Sequence, residues 1–242
     1  MKNNYINNEA IRANIEKLFQ SSDKYIYKAR NEIKIVEYKG MSLVVKSFKI
    51  PHLINKIAYT FFRDSKAKKS YENSIKIQKF VPKAIAYKEF KKFGLIDKSY
   101  FVCEKFKYDF TIRKILLDSN FKNKENIFKE FAQFTYALHE SNIEHLDYSP
   151  GNILIKAMDG NYIFKIVDVN RMNFKTLNNT QRLESFSKLW AKNEDLKMIV
   201  KFYNAYINVD EEEAIKVAIK ASQKHKDKKN FKKRLKGIEV VD

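Results

Sequence analysis

The chain has 242 residues, 44% of them hydrophobic and 14% aromatic, with only 5 Gly and 3 Pro, which allows a packed core and excludes a loop-dominated or collagen-like polypeptide. The single cysteine, Cys103, excludes an internal disulfide and a multi-thiolate zinc site, and its apolar setting Tyr100-Phe101-Val102 reads as that of a buried structural thiol. A net charge of +19 suits an anionic partner, although lysine-rich composition alone also produces a solvated basic surface.

Ile11, Ile15, Leu18 and Phe19 recur at helical spacing and predict a short first helix. Three strand-like pieces follow: Tyr25-Ile26-Tyr27, the alternating Ile33-Lys34-Ile35-Val36, and Ser42-Leu43-Val44-Val45-Lys46. Lys39-Gly40 is a natural hairpin turn between the last two. Leu53, Ile54, Ile57, Ala58, Phe61 and Phe62 give a helix with one apolar face. A further helix is expected to start at Ser65, a good N-cap, and to end before Val81-Pro82. Strands are expected at 84–88 and 100–104.

From residue 111 the pattern turns mostly helical. Ile127, Phe131, Phe134 and Leu138 mark an amphipathic helix ending near Asn142. His145–Asn152, a short strand, an Asp159-Gly160-Asn161 turn and the apolar strand 163–167 come next. Residues 176–222 read as helices, and 224–236 as a basic helix or frayed tail. The expected architecture is α+β: one domain over 1–242, with a small antiparallel β-sheet lobe (about 1–105) and a larger, mainly helical lobe (about 106–242). Residues 1–5 lack the apolar core of a signal peptide, and no stretch reaches the roughly 20 apolar residues of a membrane span, so a soluble, cytoplasmic protein is expected.

Phosphoryl transfer needs a hard cation bridging the phosphates, a basic side chain on them, and a carboxylate at the acceptor hydroxyl. Asp147 can take the hydroxyl proton. Asn152, five residues on, and Asp168, after the apolar strand, can offer oxygens to magnesium, while His145 braces the loop. Upstream, Lys46 at the end of the third strand requires a partner if buried, and Glu72 on the following helix is the expected one. An ordinary helix-to-strand turn would also use Asp, Ser, Pro, Gly and Asn; what sets this stretch apart is the helix before it and the strand–turn–strand–Asp after it.

His145-Leu146-Asp147-Tyr148-Ser149-Pro150-Gly151-Asn152 resembles the catalytic loop of the protein-kinase-like superfamily. Together with Val45-Lys46-Ser47-Phe48, the basic segment 65–73 and Val167-Asp168-Val169-Asn170-Arg171-Met172, it resembles the InaA/Kdo-type lipopolysaccharide kinase family. The resemblance spans about residues 24–175. It implies a two-lobed protein-kinase-like fold, ATP and Mg2+ as cofactors, Lys46, Glu104, Phe106, Asn152 and Asp168 as nucleotide contacts, and Asn152 and Asp168 as metal ligands. Asp147, Lys46 and Glu72 take the catalytic roles. The implied acceptor is a sugar hydroxyl of the lipopolysaccharide inner core or lipid A. Such an acceptor puts the protein at an anionic membrane surface, peripheral at the inner face, with 63–69 and 224–236 as candidate headgroup contacts.

The chain departs from the wider pattern in several places. No G-x-G-x-x-G precedes Lys46, so 29–32, with Arg30, must cover the phosphates otherwise. Leu146 replaces the arginine that reads loop phosphorylation, and Val169-Asn170 replaces Phe-Gly. A soluble small-molecule kinase of the aminoglycoside or choline type shares the loop and is the alternative; the chain's one dense acidic run is 210–213. A pseudokinase or nucleic-acid-binding protein ranks third, because the reactive residues are retained and no nucleic-acid motif is present, so nucleic acid is not an expected partner.

Overall fold

The computed structural model describes residues 8–235 and 237–238, which divide into two compact units. Of the basic run 224–236, Lys236 lies outside the described residues.

One unit runs through Lys107 and includes Asp168–Arg171. It opens with α1 (Asn8–Gln20), followed by β1 (Tyr25–Lys28), β2 (Glu32–Tyr38), β3 (Met41–Phe48), α2 (Leu53–Phe61), α3 (Lys66–Lys76), β4 (Ala84–Lys92) and β5 (Leu95–Glu104). The strands form one antiparallel sheet in the order β1-β2-β3-β5-β4. The β2–β3 hairpin closes Tyr38 against Met41 across Lys39-Gly40, both at positive φ (48° and 79°), as a tight two-residue turn requires. Helix α1 lays Ile11, Ile15 and Phe19 against Val36, Leu43, Val45, Ile85 and Val102, and this is the unit's core. Burying each such side chain is worth about 1.5–3 kcal/mol.

Two elements turn faces that their periodicity alone does not fix. The alternation of β2 puts Lys34, not its isoleucine neighbours, on the buried face with Val36. Its ammonium is satisfied there by the Phe19 carbonyl at 3.2 Å, at the negative end of α1, and lies 4.6 Å from the Phe19 and Tyr25 ring centres. The apolar face of α2 is not part of the core: the helix has no buried residue. By contrast Ser65 caps α3 as expected, accepting from the Lys68 N–H at 3.1 Å.

The other unit comprises Tyr108–Val167 and the residues from Met172 onward. It contains β6 (Phe110–Thr111), α4 (Ile112–Leu117), α5 (Lys124–Glu140), β7 (Ile143–His145), β8 (Ile153–Met158), β9 (Asn161–Ile166), β10 (Met172–Phe174), α6 (Asn179–Ser185), α7 (Asn193–Ile207) and α8 (Glu211–Arg234). The strands form two small sheets, β6-β8-β9 and β10-β7. Helix α5 buries Ile127, Phe128, Phe131, Ala132, Thr135, Leu138 and His139, and α7 packs on it with Leu196, Ile199, Val200 and Tyr203. A shielded ion pair, Lys124–Asp195 at 2.8 Å, ties the starts of these two helices. His139 is kept neutral by burial, its pKa falling to about 3, and its Nδ1 lies 2.7 Å from the Tyr203 hydroxyl. The basic run is no frayed tail. It continues α8 to Arg234, anchored by small residues Ala214, Ala218 and Ser222 that let the helix approach its neighbours.

Candidate active site

Two groups of residues, one in each unit, carry the chemistry read from the sequence. In the sheet unit, Leu43 and Val45 of β3 face α1, so Lys46 emerges on the opposite face beside Phe48, whose ring centre is 5.0 Å from its ammonium. Lys46 is buried and its Nζ meets Asp168 Oδ1 at 2.7 Å. Asp168 sits in the left-handed region, φ 59°, where Asp and Asn are the side-chain residues best tolerated. The Asn170 amide also donates to Asp168 Oδ1, and Asn73 of α3 donates to the Val169 carbonyl at 2.7 Å. An unusual backbone conformation is therefore held from both sides, as residues at reactive sites often are.

The expected Lys46–Glu72 pair is not made. Helix α3 buries Ala67, Ser70 and Ser74, and Glu72 lies about 160° round the helix from Ser70, on the outward side. There it pairs with Lys68 at 3.7 Å, one turn back. The face that Glu72 was expected to occupy belongs instead to Lys66 and Asn73, two turns apart. The Lys66 ammonium is held below its ordinary pKa by burial, then by repulsion from Arg30, Lys46 and Arg171, with Asp168 pulling the other way. Lys66 thus shares the field of three further cations and one carboxylate, and such an excess of positive charge fits a polyphosphate. Of the residues expected to contact nucleotide, Glu104 ends β5 with its carboxylate 3.3 Å from Lys83, and Phe106, two residues on, is half-buried.

In the helical unit, His145 ends β7, where Met172 of β10 is its partner. Its Nε2 lies 3.0 Å from the Val167 carbonyl, which can only accept, so Nε2 carries the proton. Nδ1 is then free to accept from the Asp147 N–H, also at 3.0 Å. Asn152 donates its amide N–H to the Asp147 carbonyl at 3.0 Å, and its own carbonyl accepts from Val167 N–H at 2.9 Å. The Asn152 amide oxygen is left for a cation. Tyr148 anchors the loop from below: its buried hydroxyl meets Thr135 at 2.8 Å, and its ring stacks on Phe131 at 5.9 Å. Burial drives the Tyr148 phenol pKa up, so it stays a neutral structural group. Arg113 of α4 lies over Gly151, where an added Cβ would come 2.8 Å from its guanidinium.

Helix α8 brings its basic stretch into electrostatic range of this loop. His225 is held below its usual pKa by burial and by Lys229, Lys188 and Lys228, while the Asp147 carboxylate opposes them. Lys226 is fixed to the Ala191 carbonyl at 3.0 Å, and His225 packs edge-on against Trp190.

Sequence reasoning missed Lys66, Arg171, Asn73 and Arg113. The i, i+7 spacing of Lys66 and Asn73, inside the basic segment already singled out, was the available signal for two of them. Among the described residues no cluster of three His, Cys, Asp or Glu side chains could hold a metal by itself. Magnesium is a hard ion that takes one or two protein oxygens and completes its shell with phosphates and water, so an amide or carboxylate oxygen in either unit is chemically suited to it. Asn152 offers an amide oxygen, and Asp168 keeps one carboxylate oxygen beyond the one bonded to Lys46.

Residues 59–210 match the model of a family described as the lipopolysaccharide kinase (Kdo/WaaP) family. The match takes in more than half of the chain, including α3, the 145–152 loop and Asp168. A solved structure described as "WaaP in complex with acyl carrier protein" is similar over 91% of this chain and 91% of its own, at 13% identity and a TM-score of 0.56. At that identity the likeness shows a shared fold, the kinase-like α+β architecture. No curated protein sequence matches the chain.

Proposed function

The chain belongs to the lipopolysaccharide kinase (Kdo/WaaP) family, a family of phosphotransferases, and we propose that it moves the γ-phosphoryl group of ATP to a sugar hydroxyl of the lipopolysaccharide inner core or lipid A. The carrying observation is the 145–152 loop, in which His145 and Asn152 fix the backbone of Asp147 from both sides. The acceptor oxygen attacks the γ-phosphorus, the bond to the bridging β–γ oxygen breaks, ADP leaves, and Asp147 receives the hydroxyl proton. Lys46, with Lys66, Arg30 and Arg171 around it, binds and orients the phosphates, so the cation cluster replaces a glycine-rich loop. On nucleotide binding, Lys46 exchanges part of its contact with Asp168 for phosphate oxygen. Magnesium, when bound, neutralises phosphate charge, and Asn152 and Asp168 are the residues that would hold it. Glu104 and Phe106, at the end of β5 and just beyond it, contact the nucleotide base.

Two features favour an anionic glycolipid over the cationic acceptors of aminoglycoside or choline kinases. The net charge is +19, and the charged groups acting on His225, within electrostatic range of Asp147, are mainly lysines. Phosphate and carboxylate groups of a lipopolysaccharide core match that field. An acceptor anchored in lipid also makes the protein peripheral, at the inner face of the cytoplasmic membrane. No helix among the described residues is long and apolar enough to cross a membrane.

The test is turnover with Mg-ATP of a panel containing Kdo–lipid A, an aminoglycoside and choline, read by mass spectrometry. Addition of one phosphate to Kdo–lipid A is expected. Turnover of the aminoglycoside or choline with none of Kdo–lipid A would overturn the reading.

A further inference from the structure

Helix α2 is amphipathic and mounted inside out. Its polar residues hold it to the sheet: Lys56 Nζ pairs with Asp97 of β5 at 2.5 Å, and Thr60 Oγ1 accepts from the Ile96 N–H at 2.9 Å. Ile54 and Phe61 point roughly 150° away from Lys56, and Ile54 is 83% exposed. Leu53, Ile57 and Phe61 are exposed as well, and Phe62, just past the helix, is 81% exposed. A helix recruited only to cover the sheet would present the opposite face.

A second element shows the same inversion. The β4–β5 hairpin turns on Phe93-Gly94, between Lys92 and Leu95, with φ 52° and 75°. The first position of such a turn normally holds Asn, Asp or Gly, and an aromatic residue there is conformationally costly. Phe93 is 93% exposed, so its ring returns nothing to the core. It lies only three residues, at most about 10 Å of chain, from Ile96, which bonds to α2 through Thr60. The Phe93 tip and the residues of β5 that hold α2 therefore lie toward the same end of the β4–β5 hairpin. Exposed Lys49, Arg63, Lys91 and Lys92 belong to the same segments, and the Arg63 guanidinium is fixed there by Asn55 at 2.7 Å and by the Tyr59 ring.

We propose that α2, together with Phe62 and the Phe93 hairpin tip, is an interfacial anchor that inserts into an anionic lipid bilayer. Apolar side chains enter the headgroup–acyl boundary while the surrounding cations meet lipid phosphates. Charge selects this occupant over a second copy, because two chains each carrying +19 repel one another. The anchor draws on the acceptor reading only in that a lipid-borne acceptor would be met at such a surface.

Vesicle flotation tests it. The full chain is mixed with vesicles of phosphatidylcholine containing one third phosphatidylglycerol, or of phosphatidylcholine alone. Binding to the anionic vesicles is expected, with at least ~10-fold loss in Ile54→Asp/Phe62→Asp and in Phe93→Asp, and weaker binding to neutral vesicles. Circular dichroism should show these variants folded, since each side chain is exposed. Phosphoryl transfer to a detergent-free, deacylated acceptor should be unchanged in them, which separates this proposal from the acceptor reading. Wild-type binding by both variants would overturn the anchor. So would failure of the native chain to bind either vesicle, with light scattering showing a dimer that Phe62→Asp disrupts, which would assign the face to a second copy.

Discussion

The two groups of reactive residues are built on different principles. The loop in the helical unit is mostly locally determined: within eight residues His145 and Asn152 hydrogen-bond the backbone of Asp147, and Val167, Thr135 and Phe131 brace it from outside. The cluster in the sheet unit is assembled from distant segments, Arg30, Lys46, Lys66 and Asp168–Arg171, which meet only because β3, α3 and the residues after Val167 converge. A local hydrogen-bonded motif tolerates little variation in spacing. A cationic cluster needs only enough charge near the phosphates, from whichever segment the fold supplies.

That difference should be visible in mutants, and the largest effects belong to single carboxylates. Asp147→Asn keeps the loop's backbone bonds but removes the proton acceptor, and a loss of transfer on the order of 10³-fold is expected. Asp168→Asn removes both a metal oxygen and the Lys46 partner, with a loss of at least the same order. Steady-state kinetics on folded variants checks both, and unchanged turnover in either would break the mechanism. Next comes Lys46→Met, for which ~10²-fold is expected, concentrated in kcat/KM for nucleotide.

How much could be read in advance follows the same division. The 145–152 loop is legible as a string because the bonds that fix Asp147 come from His145 and Asn152 within it, and His145 braces it as its ring chemistry suggests. The strands around Lys39-Gly40 and the cap at Ser65 were legible for the same reason. Long-range placement was not. Periodicity reveals that α2 has an apolar face but not which way that face points, since direction is decided by Lys56 finding Asp97 and Thr60 finding Ile96 in another strand. Likewise nothing in the alternation of β2 marks Lys34 as buried until the end of α1 arrives to accept its hydrogen bond. Glu72 is expected to pair with Lys46 because it is the glutamate on the following helix, but the small residues of α3, Ala67, Ser70 and Ser74, mark the packed side and leave Glu72 opposite.

If the cluster works by summed charge, its members should be graded rather than all-or-none. Lys66→Met is expected to cost ~10-fold in nucleotide affinity, partly restored by Lys66→Arg, because the site uses the charge and not one fixed donor geometry. Loss of transfer in Lys66→Met as complete as in Asp168→Asn would make Lys66 an individually required group and remove the contrast with the loop.

The smallest effect is the sharpest discriminator. Glu72 contacts Lys68 on an exposed stretch of helix, where such pairs are worth ~0–1 kcal/mol. Glu72→Gln should therefore change nucleotide KM and kcat by less than about twofold. A large fall in kcat with an intact circular dichroism spectrum would mean that Glu72 reaches the Lys46 ammonium during turnover, through a rotation of α3. That rotation would have to break the bond between Asn73 and the Val169 carbonyl, so Asn73→Ala supplies the cross-check. If α3 is static, Asn73→Ala loosens the Asp168 segment and lowers activity while Glu72→Gln does not. If α3 rotates, losing the Asn73 bond releases it, and the variant should raise kcat in the native background but not in Glu72→Gln.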